Sequence, residues 1–219
     1  FVAADGYAQA PNNRNYFALF PNFFILGNPG QHFSHTVTPI SATKSLTGHS
    51  LGGTLTPPMF AYLNEVLGDR VGAMLPLSFA GLTPGDARFN SYLEGMIADG
   101  WNWRVHNTLD IAPSMWGSFS GIENIYAPWN LYWDVLEMEW LTRKFQEAAG
   151  IGYAQPAEGA LSLAGQFCHG FLDPDGHSWT LQVMHQHHGS TYEGMIYNAF
   201  PATAGAPQIE LCKPLITIP

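Results

Sequence analysis

The 219 residues predict an α/β fold, a mostly parallel sheet flanked by helices, in one domain spanning 1–219. Three features carry that expectation. Short apolar runs of strand length alternate with stretches whose apolar residues recur at helical spacing. Between the first such strand and helix lies Gly48-His49-Ser50-Leu51-Gly52, a G-x-S-x-G pattern that sets a serine on a tight strand-to-helix turn. Asp110 ends a later strand, on the edge where open α/β sheets carry their chemistry.

Along the chain, residues 1–40 are rich in Asn, Pro, Gly and aromatics. Their apolar runs 16–20 and 23–26 read equally as short strands or as irregular structure packed on the core. Residues 41–46 form a modest strand. The serine turn follows, and its strained backbone requires small neighbours two positions either side, which Gly48 and Gly52 supply. Leu55, Met59, Ala61, Tyr62, Leu63, Val66 and Leu67 predict a helix over 55–67. Residues 72–79 read as a strand closed by the turn Gly81-Leu82-Thr83-Pro84-Gly85. A helix over 86–98 presents Ala87, Phe89, Tyr92, Leu93, Met96 and Ile97 on one face and stops at Gly100. Residues 103–109 form the next strand.

Beyond Pro113 the chain changes character: six of its seven tryptophans lie between Trp101 and Trp140. Trp133, Leu136, Trp140, Leu141 and Phe145 predict an amphipathic helix over 131–148. Its aromatics read as core, with an acyl-binding groove or its cover as the sharper alternative. Within an Ala-, Gly- and Pro-rich segment, residues 161–167 suggest a short helix. Residues 181–200 carry a histidine cluster followed by Tyr192, Met195, Ile196 and Phe200, and the tail after Pro201 reads as extended.

Eight basic against seventeen acidic residues give a formal charge of −9, which argues against nucleic acid or an anionic membrane surface as partner. Charged residues make up 11% and aromatics 14%, a balance suited to greasy or neutral substrates. Cys168 and Cys212 are free to bridge or to stay apart, and one pair says little about compartment. No apolar run reaches the length of a membrane span. The chain opens on Phe1 rather than Met, as expected of a processed or truncated N-terminus, so the lack of a leader here leaves export open.

A serine attacks carbonyls at neutral pH only when a base takes its proton, and the base works best when a carboxylate orients it. Ser50 therefore calls for an aspartate and a histidine downstream, while the Leu51 amide, opening a helix, would face an oxyanion. Thr47-Gly48-His49-Ser50-Leu51-Gly52-Gly53 resembles the elbow of class 3 lipases, the fungal and bacterial triacylglycerol lipase group of the α/β-hydrolases. Phe79-Ala80-Gly81-Leu82-Thr83-Pro84-Gly85 with Phe89 resembles that family's next strand and turn. Arg104-Val105-His106-Asn107-Thr108-Leu109-Asp110-Ile111-Ala112-Pro113 is similar to its R-V-x-N-x-x-D-I-V-P stretch. The resemblance covers about residues 42–116.

That resemblance implies an α/β-hydrolase-like fold and a cofactor-free carboxylic ester hydrolase, with ester or lipid as substrate and Asp110 as the acid. In the family the catalytic histidine precedes a helical tyrosine by a few residues. His188-Gly189-Ser190-Thr191-Tyr192 fits that shape best, so His188 is the expected base, with His187 and then His185 as alternatives. His49 is expected to pack within the elbow, facing away from the hydroxyl. The family's upstream R-G-T-like motif, which supplies a second oxyanion donor, is missing. That donor stays unassigned, expected either from a preceding N-terminal part or from a loop such as Gly27-Asn28-Pro29-Gly30.

Two rival readings stand beside this one. His169, Asp173, Asp175, His177, His185, His187 and His188 crowd into twenty residues, and such side chains bind zinc, so a metal-dependent hydrolase is one. A non-catalytic lipase-like interaction module is the other, since fold does not fix function. Acyl preference and oligomeric state are open at this level.

Overall fold

The computed structural model describes residues 23–27, 44–67, 74–97, 103–132, 135–156, 159–171, 178–201 and 205–212. Strand β1 (Phe23–Gly27) runs antiparallel to β2 (Lys44–His49), which leads through the serine turn into α1 (Leu51–Leu67). Next come β3 (Met74–Phe79), the two-residue strand β4 (Gly85–Asp86), α2 (Ala87–Glu94) and β5 (Arg104–Asn107). The short helix α3 (Phe119–Glu123) and then α4 (Val135–Ala148) lead to β6 (Tyr153–Ala154), which pairs with β4, and to β7 (Ala160–Leu163). Helices α5 (Ser178–His187) and α6 (Gly189–Ala199) complete the order. The main sheet is five-stranded in the order β1-β2-β3-β5-β7, parallel from β2 onward, so the chain has the mostly parallel, helix-flanked α/β-hydrolase-like architecture.

Strand period gives the sheet two greasy faces. On one, Leu46, Met74 and Trp103 pack with Phe60 of α1 and Leu93 of α2; on the other, Val105 and Leu163 pack with Tyr192 and Met195 of α6. Burying each such side chain contributes about 1.5–3 kcal/mol.

The contact between α1 and β3 is closer than side chains would permit. A Cβ on Gly53 would lie 2.4 Å from the Phe79 carbonyl oxygen, and one on Gly81 would lie 2.7 Å from the Gly53 carbonyl carbon. Pro57, inside α1, has no N–H to give the carbonyl four residues back, which is that of Gly53. The Ser78 hydroxyl donates to this carbonyl at 2.8 Å, so the helix's missing bond becomes a bond to the neighbouring strand.

Several elements differ from the sequence reading. Helix α1 begins at Leu51, immediately after the serine, because Gly52-Gly53-Thr54 carry no apolar signal yet are helical. Asp86 is the N-cap of α2, accepting the Phe89 amide at 2.9 Å, and the helix ends at Glu94. Of residues 161–167, expected as a helix, 161–163 instead belong to edge strand β7 (Ala160–Leu163), whose Leu161 and Leu163 pack on the sheet while Ser162 faces out. Helix α4 begins at Val135 rather than 131, after Asn130 turns the chain in the left-handed region at φ 57°. Residues 16–20, Asn28-Pro29-Gly30, Gly100, Trp101 and Trp133 lie outside the described residues.

Cys168 and Cys212 form a disulfide across 44 residues, enclosing α5 and α6. Among the described residues no helix is long and apolar enough to cross a membrane.

Gly53→Ala is expected to lower unfolding free energy by about 2 kcal/mol or more, since the new methyl meets backbone. Gly150→Ala, with nothing within 4 Å of its Cβ position, should stay within about 1 kcal/mol. Urea melts of both variants check this. Reducing the disulfide should cost about 3–4 kcal/mol by loop entropy, read as a lower urea midpoint with dithiothreitol than without.

Candidate active site

Ser50 sits at φ 58°, in the left-handed region, a conformation that costs of order 1–3 kcal/mol for a side-chain-bearing residue. The surroundings hold it there. Its N–H donates to Phe79 O at 3.0 Å, and its carbonyl accepts from the Thr54 amide at 2.9 Å and the Thr54 hydroxyl at 3.1 Å. Thr54 in turn accepts the Leu82 amide at 2.9 Å. A Cβ on Gly48 would lie 2.4 Å from the Gly52 carbonyl, so the turn closes only over glycine. Leu51 is the first residue of α1, where an amide has no acceptor within its own helix and meets the positive end of the helix dipole.

Asp110 follows β5 and is buried, with its amide donating to Asn107 O at 3.0 Å. Its Oδ1 accepts the Ala112 amide at 2.9 Å, and its Oδ2 accepts the Tyr192 hydroxyl at 2.7 Å. Burial first, and then the Asp110 charge, push the Tyr192 phenol well above its ordinary pKa, so it stays a donor to the carboxylate.

His187, the last residue of α5, joins these two sites. Its Nδ1 lies 2.9 Å from Asp110 Oδ2 and its Nε2 lies 2.7 Å from Ser50 Oγ. An ionised carboxylate only accepts, so Nδ1 carries the proton and Nε2 is left to accept from the serine hydroxyl.

His188, the expected base, is not at this position. It is the exposed N-cap of α6, with φ −69° and ψ 140°, and its Nδ1 accepts the Ser190 amide at 3.2 Å and pairs with Ser190 Oγ at 2.9 Å. The helix break falls between the two histidines, so consecutive rings point to different sides of the chain. His185 is buried against Phe171, ring centroids 4.8 Å apart, and His169 packs edge-on to Phe167. Asp173, Asp175 and His177 lie outside the described residues. Among the described residues no three His, Cys, Asp or Glu side chains gather as a cation site.

His49 packs in the elbow, beside the rings of His187 and Tyr192. Its centroid lies 5.1 Å from that of His187 and 5.4 Å from that of Tyr192. Burial, then the neighbouring His187, holds its pKa below the ordinary value. Tyr192 was legible only as the tyrosine after the histidine cluster, and its bond to Asp110 was not.

No protein-family model matches the chain, and no curated protein matches it. Among solved structures the chain is similar to one described as the crystal structure of M37 lipase, at 25% identity and a TM-score of 0.58, over 69% of this chain and 44% of that one. The chain thus spans less than half the length of that lipase. The likeness supports a lipase-like α/β fold at large and does not single out the class 3 group.

Burial lowers the pKa of His49, His106 and His185 from the ordinary 6.5. As pH falls through that value the unfolded chain takes up protons that the folded chain does not, so stability drops as pH falls. Urea midpoints are therefore expected to decline from pH 7.5 to 5.5. His106→Gln should flatten part of that decline.

Proposed function

We propose that the chain is a serine ester hydrolase of the lipase kind, cleaving acyl esters through an acyl-enzyme on Ser50. The observation that carries this reading is the unbroken line from Asp110 through His187 to Ser50, with contacts of 2.9 and 2.7 Å. The likeness to M37 lipase and the low share of charged residues, 11%, support acyl esters as the substrate class.

The chemistry follows from the three groups. His187 Nε2 takes the proton of Ser50 as Oγ attacks the ester carbonyl, and Asp110 stabilises the imidazolium that results. Charge developing on the carbonyl oxygen meets the Leu51 amide at the positive end of α1. Collapse of the tetrahedral species expels the alcohol, which leaves with the proton from His187. Water then attacks the acyl carbon as His187 takes its proton, and that proton returns to Ser50 as the acid departs. No step calls for a metal or cofactor.

Wild-type protein should react with a fluorophosphonate probe and hydrolyse p-nitrophenyl esters. Ser50→Ala should do neither while melting like wild type. His187→Ala should lower kcat/KM by about 10³-fold or more, whereas His188→Ala should stay within about threefold. Loss of activity with His188→Ala but not with His187→Ala would reverse the assignment of the base. Wild-type protein that takes no label would favour a non-catalytic module. A profile across acyl chain lengths separates lipase from short-chain esterase.

A further inference from the structure

We infer that Asn107 is the positioning residue that sets the acid and the base at their working separation, a role that rests on the proposed ester hydrolysis. Asn107 is the last residue of β5 and 1% exposed, so each of its polar groups must find a partner within the protein. Its bonds divide into two sets, one holding Asp110 and one holding His187.

Toward the acid, the Asn107 carbonyl accepts the Asp110 amide at 3.0 Å and its Oδ1 accepts the Leu109 amide at 2.9 Å, which fixes the turn between strand and carboxylate. Its own amide donates to the Tyr192 hydroxyl at 3.0 Å, and that hydroxyl donates onward to Asp110 Oδ2 at 2.7 Å. Toward the base, Nδ2 donates to the Gln186 carbonyl at 2.9 Å and to Gln186 Oε1 at 2.7 Å. The Gln186 carbonyl belongs to the peptide that leads into His187, in the last turn of α5, where carbonyls have no donors within the helix.

One planar amide thus references both partners of the proton relay to a single point. The orientation of that amide follows from its surroundings, because Oδ1 faces an N–H and Nδ2 faces two oxygens. Space around it is equally restricted: a Cβ on Gly165 would come within 2.4 Å of Asn107 Oδ1. The buried face of α5 carries amides beside Trp179. Gln186 Nε2 donates to Gln166 O at 2.7 Å and Gln182 Nε2 to Cys168 O at 2.6 Å. These bonds are directional, so α5 has one register against β5, and Asn107 is the member that also touches the acid's loop.

Asn107→Asp tests this, because it keeps size and the acceptor for Leu109 while removing both donors to Gln186. Expected is a fall in kcat of about 10- to 100-fold with KM within about twofold. Gln186→Met, which leaves the backbone carbonyl for Nδ2, should lose less than about fivefold. In the His187→Ala background Asn107→Asp should cost no further rate, since a residue acting only through His187 has nothing left to position. A further cost there would overturn the proposal.

A second readout does not depend on turnover. The far-downfield proton resonance of the His187–Asp110 hydrogen bond, absent in His187→Ala, should shift or broaden away in Asn107→Asp. An unchanged resonance also overturns the proposal. A resonance shifted by Asn107→Asp, where the wild-type protein hydrolyses no ester, would leave the positioning role standing and remove the ester hydrolase reading. Should Asn107→Asp fail to fold, Asn107→Ala removes the same donors without adding charge and reads both quantities.

Discussion

The approach of α1 to β3 is the constraint from which the site follows. Only glycine at positions 53 and 81 lets the helix's first turn lie against the strand, and only glycine at 48 lets the turn close over Gly52. With the backbones this near, the serine between them is forced into the left-handed region and its side chain has nowhere to go but outward. The cost of that conformation is offset by bonds on either side of Ser50, to Phe79 and to Thr54, which would be lost if the turn relaxed. The same contact explains Pro57. A proline inside a helix frees a carbonyl, and here the freed carbonyl faces a strand hydroxyl that takes it.

A buried carboxylate is tolerable when donors surround it. Asp110 receives the Ala112 amide, the Tyr192 hydroxyl and His187 Nδ1, so its charge is spread over groups from the following loop, from α6 and from α5. That arrangement makes the carboxylate the meeting point of three separate parts of the chain. It also fixes the imidazole tautomer, because the carboxylate has no proton to offer.

The parts of this organisation written locally could be read from the residues. Ser50 between a strand and a helix, the alternation that gives β2, α1, β3 and β5, and Asp110 at a strand end are signals carried by neighbouring residues. What depended on distant contacts was not legible. Residues 161–167 have too few apolar positions to separate period 2 from period 3.6, and pairing with β5 decides for a strand. His187 and His188 differ by where α5 stops, which is set by His188 capping the next helix. Asn107, Gln182 and Gln186 carry no local sign of burial, yet all three are buried among partners supplied by one another and by backbone. Two cysteines alone left pairing open.

The disulfide between Cys168 and Cys212 has a further consequence for how this protein fails. Small proteins shed peripheral helices by partial opening well before they melt as a whole. Here α5 and α6 lie within one covalent loop whose two ends are joined beside the Gln182 contact. That helix pair is restrained from fraying away from the sheet, so the imidazole stays opposite the serine until the whole assembly gives way. Loss of the Ser50–His187 contact and global melting therefore converge on one temperature in the oxidised chain, and separate once the cross-link is cut.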